Sequence, residues 1–209
     1  MALDQTDICN LALTRIGWKT LISSIDDDGT EAAMCKLYYA HCLQMALTKA
    51  DWNFARKRAA LVEEAGDPPA EWAYQYLWPA DCLTPLRLVD KMQEARQGSI
   101  IKFTIEEGAT NKKLIYSDID PANAELIYTF NVTDETKLDP MFANYLAWFI
   151  AFEIAMPLAN NTKRRQDAAS GMKVAFQEAL RFNIVSEPVQ WLGMDIGVYR
   201  DGPTVESRE

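Results

Sequence analysis

Asp139-Pro140-Met141-Phe142-Ala143-Asn144-Tyr145-Leu146-Ala147-Trp148-Phe149-Ile150-Ala151-Phe152-Glu153-Ile154-Ala155-Met156-Pro157 is the stretch on which the fold turns. It opens with a capping carboxylate followed by proline at the first helical position, a strong helix start. Residues 141–156 are apolar nearly all round, so other elements or subunits should surround this helix. Pro157 should end it. Its uncharged run, 141–152, falls short of the ~20 residues that a membrane-spanning helix needs, and reads as core. Glu153 stands alone in it. An unpaired ionised carboxylate is costly to bury, so Glu153 should meet an arginine or a backbone donor, inside the fold or across an interface.

Downstream, residues 163–182 carry Ala168, Met172, Phe176 and Ala179 at three- and four-residue spacing, a second helix with one buried stripe. Beyond Glu187 the chain holds Pro188, Gly193, Gly197, Gly202 and Pro203, too many breakers for a regular element. It still carries Trp191, Leu192, Met194, Ile196 and Tyr199, an apolar tail suited to docking on a partner.

Upstream, 100–105, 113–116 and 125–132 are β-branched or aromatic runs separated by Gly108, Asn111, Asp118 and Pro121, which predicts a small antiparallel sheet. Short strands are also expected at 56–62 and 86–89. Between them, Gly66, Pro68, Pro69 and Pro79 forbid a continuous helix, so 63–81 reads as a packed loop or short turns anchored by Trp72, Tyr74, Tyr76 and Trp78. Nearer the N-terminus, Thr6 can cap a helix that runs to Ile16 and stops at Gly17. Asp28 or Thr30 can cap the next, whose Met34, Cys35, Tyr38, Cys42, Met45 and Trp52 form one stripe. The expected fold is thus mainly α with a small antiparallel β insertion (α+β), a helical bundle. Its helical part is 1–97 with 133–186, its β insertion 98–132, and 187–209 an extended docking tail.

Composition narrows the function. The chain has 209 residues, 49% of them hydrophobic, and a net charge of −9. It can bury a substantial core, and it lacks the spread of positive charge that nucleic acid or a membrane surface would demand. Its densest basic runs are Arg56-Lys57-Arg58 and Lys163-Arg164-Arg165. The N-terminus carries no basic-then-apolar leader, so no signal peptide is expected. Cys9, Cys35, Cys42 and Cys82 form no CxxC pair, and read as free, buried thiols of a reducing compartment.

Motifs for chemistry are sparse. Phosphate-binding, dinucleotide, HExxH and GxSxG signatures are absent from the sequence. Ser24-x-Asp26-x-Asp28-Gly29 mimics the start of a calcium loop, but Ala32 and Cys35 occupy later ligand positions, so it reads as a solvated turn and helix cap. His41, beside Cys42 and near Cys35, reads as packing on an apolar stripe. Glu63, Glu64, Asp67, Glu71, Glu106 and Glu107 could supply a pair for glycoside hydrolysis, with a separation that sequence does not give. Expected catalytic, cofactor and metal residues are therefore none.

An ordered set of segments resembles a known family. It comprises Ile8-Cys9-Asn10-Leu11-Ala12-Leu13 with Ile16-Gly17, Ile22-Ser23-Ser24-Ile25-Asp26-Asp27-Asp28, and the helix through Ala32, Cys35 and Tyr38. Trp52-Asn53-Phe54-Ala55 with Arg58, Tyr76-Leu77-Trp78-Pro79-Ala80-Asp81-Cys82, Leu138-Asp139-Pro140-Met141-Phe142 and Met156-Pro157-Leu158 continue it. Through about Leu180 the chain resembles the tail tubular protein A (head-to-tail adaptor) family of short-tailed bacteriophages and prophages.

The resemblance implies a non-enzymatic virion protein, made in the bacterial host cytoplasm. It would form a dodecameric ring beneath the portal protein, extending the DNA channel and presenting a platform to the tail nozzle protein. The segment with Trp191, Leu192, Met194, Ile196 and Tyr199 would reach toward the portal. Genomic DNA would pass without sequence-specific binding, and neither a membrane nor a cofactor would be involved. An acidic chain suits a channel that must not grip phosphates. Two other readings stand beside this one: a phage cell-wall glycosidase, and a monomeric interaction module using the aromatic 72–78 loop.

Overall fold

The computed structural model describes residues 3–92, 101–108 and 111–186. Along the chain lie α1 (Gln5–Arg15), α2 (Thr30–Thr48), β1 (Arg56–Ala60), β2 (Tyr74–Leu77), β3 (Cys82–Asp90), β4 (Phe103–Glu107), β5 (Lys113–Ser117), β6 (Ala124–Phe130), α3 (Pro140–Ala159) and α4 (Thr162–Ser186).

The expected mainly helical bundle is corrected here. About 47% of the described structure is helical and 21% strand, an α+β mix with two three-stranded antiparallel sheets. The β part is larger than an insertion because both sheets recruit strands from far upstream. β6 is the central strand of the first sheet, between β1 and β3, and Arg56 pairs with Thr129 across it. β5 is central in the second, between β2 and β4, with Tyr74 opposite Ser117. β2 thus lies within the segment expected to be only loop. Tyr76, Leu88, Ile115, Leu126 and Tyr128 form a core shared by the two sheets. Both faces of β6, which lies between β1 and β3, are buried.

The helices build a separate core around α3, on which α1, α2 and α4 all pack. Ile8, Leu13, Cys35, Leu47, Trp52, Phe142, Leu146 and Ile150 fill it. By length and composition α3 could cross a membrane, since it runs 20 residues with Glu153 as its one charged side chain. In the fold, half of its apolar window is buried within the protein. Pro157 does not end it. Proline removes only its own N–H bond, here to the Glu153 carbonyl, and α3 continues to Ala159. Asn160 then stops it in the left-handed conformation, φ 42°.

Other boundaries shift for local reasons. α1 is capped by Asp4, whose carboxylate accepts from the Asp7 N–H while Asp7 reciprocates; Thr6 lies inside the helix. α2 begins after Gly29, without a side-chain cap. Its buried stripe is Ala32, Cys35, Tyr39, Cys42, Leu43, Ala46 and Leu47, rotated from the expected one, which leaves Met45 exposed. Gly17 does supply the left-handed stop, at φ 66°. A close approach fixes another glycine: a Cβ on Gly171 of α4 would stand 2.7 Å from the Trp148 ring of α3.

Candidate assembly surfaces

Several side chains that could have supplied chemistry are spent on structure. In the calcium-like turn, Asp27 accepts from the Ser23 and Ser24 N–H groups, and Asp26 pairs with Lys36 at 2.7 Å. Among the described residues no group of three His, Cys, Asp or Glu side chains converges in metal-binding geometry. His41 is exposed, on the side of α2 away from buried Cys35 and Cys42, so packing does not account for it. All four cysteines are free and buried. Its hydrogen bond with Cys35, then burial, hold the Cys9 thiol well above its ordinary range, and burial pushes Cys42 and Cys82 up to about 12. The Cys9, Cys42 and Cys82 thiols stay protonated at neutral pH, while the same hydrogen bond with Cys9 draws Cys35 downward. Of the candidate carboxylates, Glu64 pairs with Lys112 at 2.7 Å.

The aromatic 72–78 segment presents little free ring surface. Tyr76 is fully buried and donates its hydroxyl to the Ile119 carbonyl. Trp78 is half-buried, donates to the Cys82 carbonyl at 3.1 Å, and is covered by the Lys113 ammonium 3.4 Å from its ring.

Of the ten exposed large apolar side chains among the described residues, six lie on α2 and α4, the others being Leu21, Val62, Met92 and Met141. α2 turns Leu37 (63% exposed) and Met45 (50%) outward, with Ala40, His41 and Gln44 exposed between them. α4 packs on one side only. Its outer side carries Val174, Ile184 and Val185, the last 84% exposed. The end of α4 is nonetheless firmly seated. Asn183, buried, accepts from the Asn53 N–H at 2.8 Å, donates to the Asp51 carbonyl at 2.8 Å, and offers its own carbonyl to the Asn53 amide. Sequence reading missed this staple, because a lone Asn near a helix end carries no periodic signal.

α2 and α4 each pack on α3 and hardly touch one another, so they cover different sides of it. Any contact joining the α2 side of one copy to the α4 side of the next is heterologous, and propagates into a ring or a filament.

Glu153 is half-buried. Its carboxylate makes no hydrogen bond or ion pair among the described residues, so the expected arginine or backbone donor is not found within them. The tail residues Trp191, Leu192, Met194, Ile196 and Tyr199 lie outside the described residues. No known protein-family model matches the chain, and comparison with curated proteins finds no significant match.

Proposed function

We propose that the chain is a structural subunit of a head-to-tail connector ring in a tailed bacteriophage virion, without enzymatic activity. In this reading it joins the portal to the tail nozzle and extends the DNA channel. The observation that carries it is the pair of exposed apolar surfaces, on α2 and α4, set on different sides of α3. Exposed Leu, Ile and Val side chains clustered on one helix face mark interaction surfaces more often than isolated ones do. Two different surfaces per chain suit repeated heterologous contacts, whereas a two-fold dimer needs only one. The ordered sequence resemblance supplies the virion context, and nothing in the described carboxylates favours the glycosidase reading over it.

The test is the particle mass of the purified protein, alone and mixed with a cognate portal protein. A single large species of fixed stoichiometry, with or without portal, is the expected result. A monomer under both conditions, at concentrations well above those of assembly in a cell, would overturn the reading.

A further inference from the structure

The two basic triplets meet opposite fates. On β1, Arg56 pairs with Asp51 at 2.8 Å, Lys57 with Asp81 at 2.6 Å and Arg58 with Glu125 at 3.3 Å. That charge is neutralised within the fold. Lys163, Arg164 and Arg165 form the first turn of α4, where every residue from 160 to 167 is exposed. None of the three has a carboxylate within ion-pairing distance among the described residues.

Cations from α1 and the loop after it join them. The Arg164 guanidinium lies against Gly17, 3.7 Å from where a Cβ would stand. Two residues earlier, half-buried Arg15 lies 4.5 Å over the Trp148 ring and donates to the carbonyl and side-chain oxygens of Asn144, both neutral. Exposed Lys19 follows two residues after Gly17. Arg165 lies 4.6 Å over Phe152. Asp167 stands one turn along α4, Glu153 follows Phe152 on α3, and Glu31 accepts from the Trp18 ring N–H at 3.0 Å. None of these acids forms an ion pair with the five cations, in a chain whose net charge is −9.

Unpaired like charge raises the energy of the free protein and favours an anionic occupant. Arginines already laid on aromatic faces lose less freedom when they engage phosphate oxygens, and their planar forks match those oxygens. A protein-binding centre would instead be depleted in charge and built on exposed aromatic anchors. Here Trp148 and Phe152 lie beneath the guanidinium groups. We propose that Arg15, Lys19, Lys163, Arg164 and Arg165 form a binding site for the phosphodiester backbone of duplex nucleic acid, engaged without base contacts. One chain carries the whole patch, so the proposal does not depend on ring formation.

Fluorescence anisotropy with short labelled duplexes of two unrelated sequences, titrated across salt concentrations, tests it. The full chain should bind both duplexes alike at low salt. Replacing Lys163→Gln, Arg164→Gln and Arg165→Gln together should weaken binding at least ~10-fold and flatten the log–log salt slope by roughly 2–3, about 0.9 per lost phosphate contact. Lys57→Gln should change affinity less than about twofold, since that cation is already paired. Unchanged circular dichroism of the triple variant would show that its fold is intact. No binding at low salt, undiminished binding by a folded triple variant, or stronger binding of a poly-glutamate peptide than of duplex would each overturn the proposal.

Discussion

The helical core and the paired sheets are similar in chemistry and opposite in construction. Helices α3 and α4 are consecutive and meet along most of their lengths, so much of that core follows from short-range sequence. The sheets depend on pairings such as Arg56 with Thr129 and Tyr74 with Ser117, which close long loops before any contact rewards the closure. The lesson is that two cores of one chain need not share a folding logic. Each helix can form from local signals before α1 and α2 reach α3 across the whole β region, whereas a strand exists only once its partner pairs with it.

The largest expected effect comes from Trp52→Ala. Trp52 is fully buried, its ring 5.0 Å from Phe142, and its N–H donates to the Ala46 carbonyl at 2.9 Å. Removing it should cost ~3–5 kcal/mol. Leu126→Ala in the sheet core should cost ~2–5 kcal/mol by the same cavity argument. Chemical denaturation gives both totals, and hydrogen exchange gives their location. The first should loosen α2, α3 and α4 before the sheets, and the second β1, β3 and β6 before the helices. Equal loss of protection everywhere in both variants would show a single cooperative unit and break the comparison.

A smaller effect should follow Asn183→Ala. It removes the partner of the half-buried Asn53 N–H and of the carbonyl of exposed Asp51, which water can partly replace, so the cost should be about 1–2 kcal/mol in all. Exchange should rise at the end of α4 and around 51–55, with the sheets unaffected.

The smallest is pH-dependent and belongs to the sheet side. The hydrogen bond from Lys57, with a further one from the Tyr128 hydroxyl, holds the Asp81 carboxyl below its usual range. A folded value below the unfolded one contributes stability at neutral pH, and that contribution fades as pH falls through the folded value. Partial exposure of both charged partners keeps it modest. The melting temperature of Asp81→Asn should therefore sit slightly below that of the unaltered chain at pH 7 and converge with it in acid, once pH falls below the lowered value of that carboxyl. A gap that persists in acid would assign the loss to packing.

How much was legible follows the same divide. The Pro140 start of α3, the Gly17 stop and the apolar character of α3 are properties of a few adjacent residues, and the structure keeps them, although the Asp139 carboxylate makes no capping hydrogen bond. The rotated stripe on α2 shows the limit of periodicity when Met and Tyr stand on both sides of a helix. Met34 and Tyr38 are half-buried, while Tyr39 and Leu43 take the core. β2 was masked by the prolines before it, since Tyr74–Leu77 is a strand only because β5 pairs with it. The fate of the basic triplets was equally invisible. Neither run states whether Asp51, Asp81 and Glu125 will be folded against it.

Head-to-tail use of the α2 and α4 sides is tested most directly with two variants, Leu37→Glu and Val185→Glu, under conditions where the unaltered chain assembles. Each variant alone retains one good surface and has no complementary one, so each should remain monomeric. Mixed, they should form a dimer through their one intact pairing and grow no further. Rings formed by either variant alone, or a mixture that stays monomeric, would contradict the assignment of these two surfaces to one repeating contact.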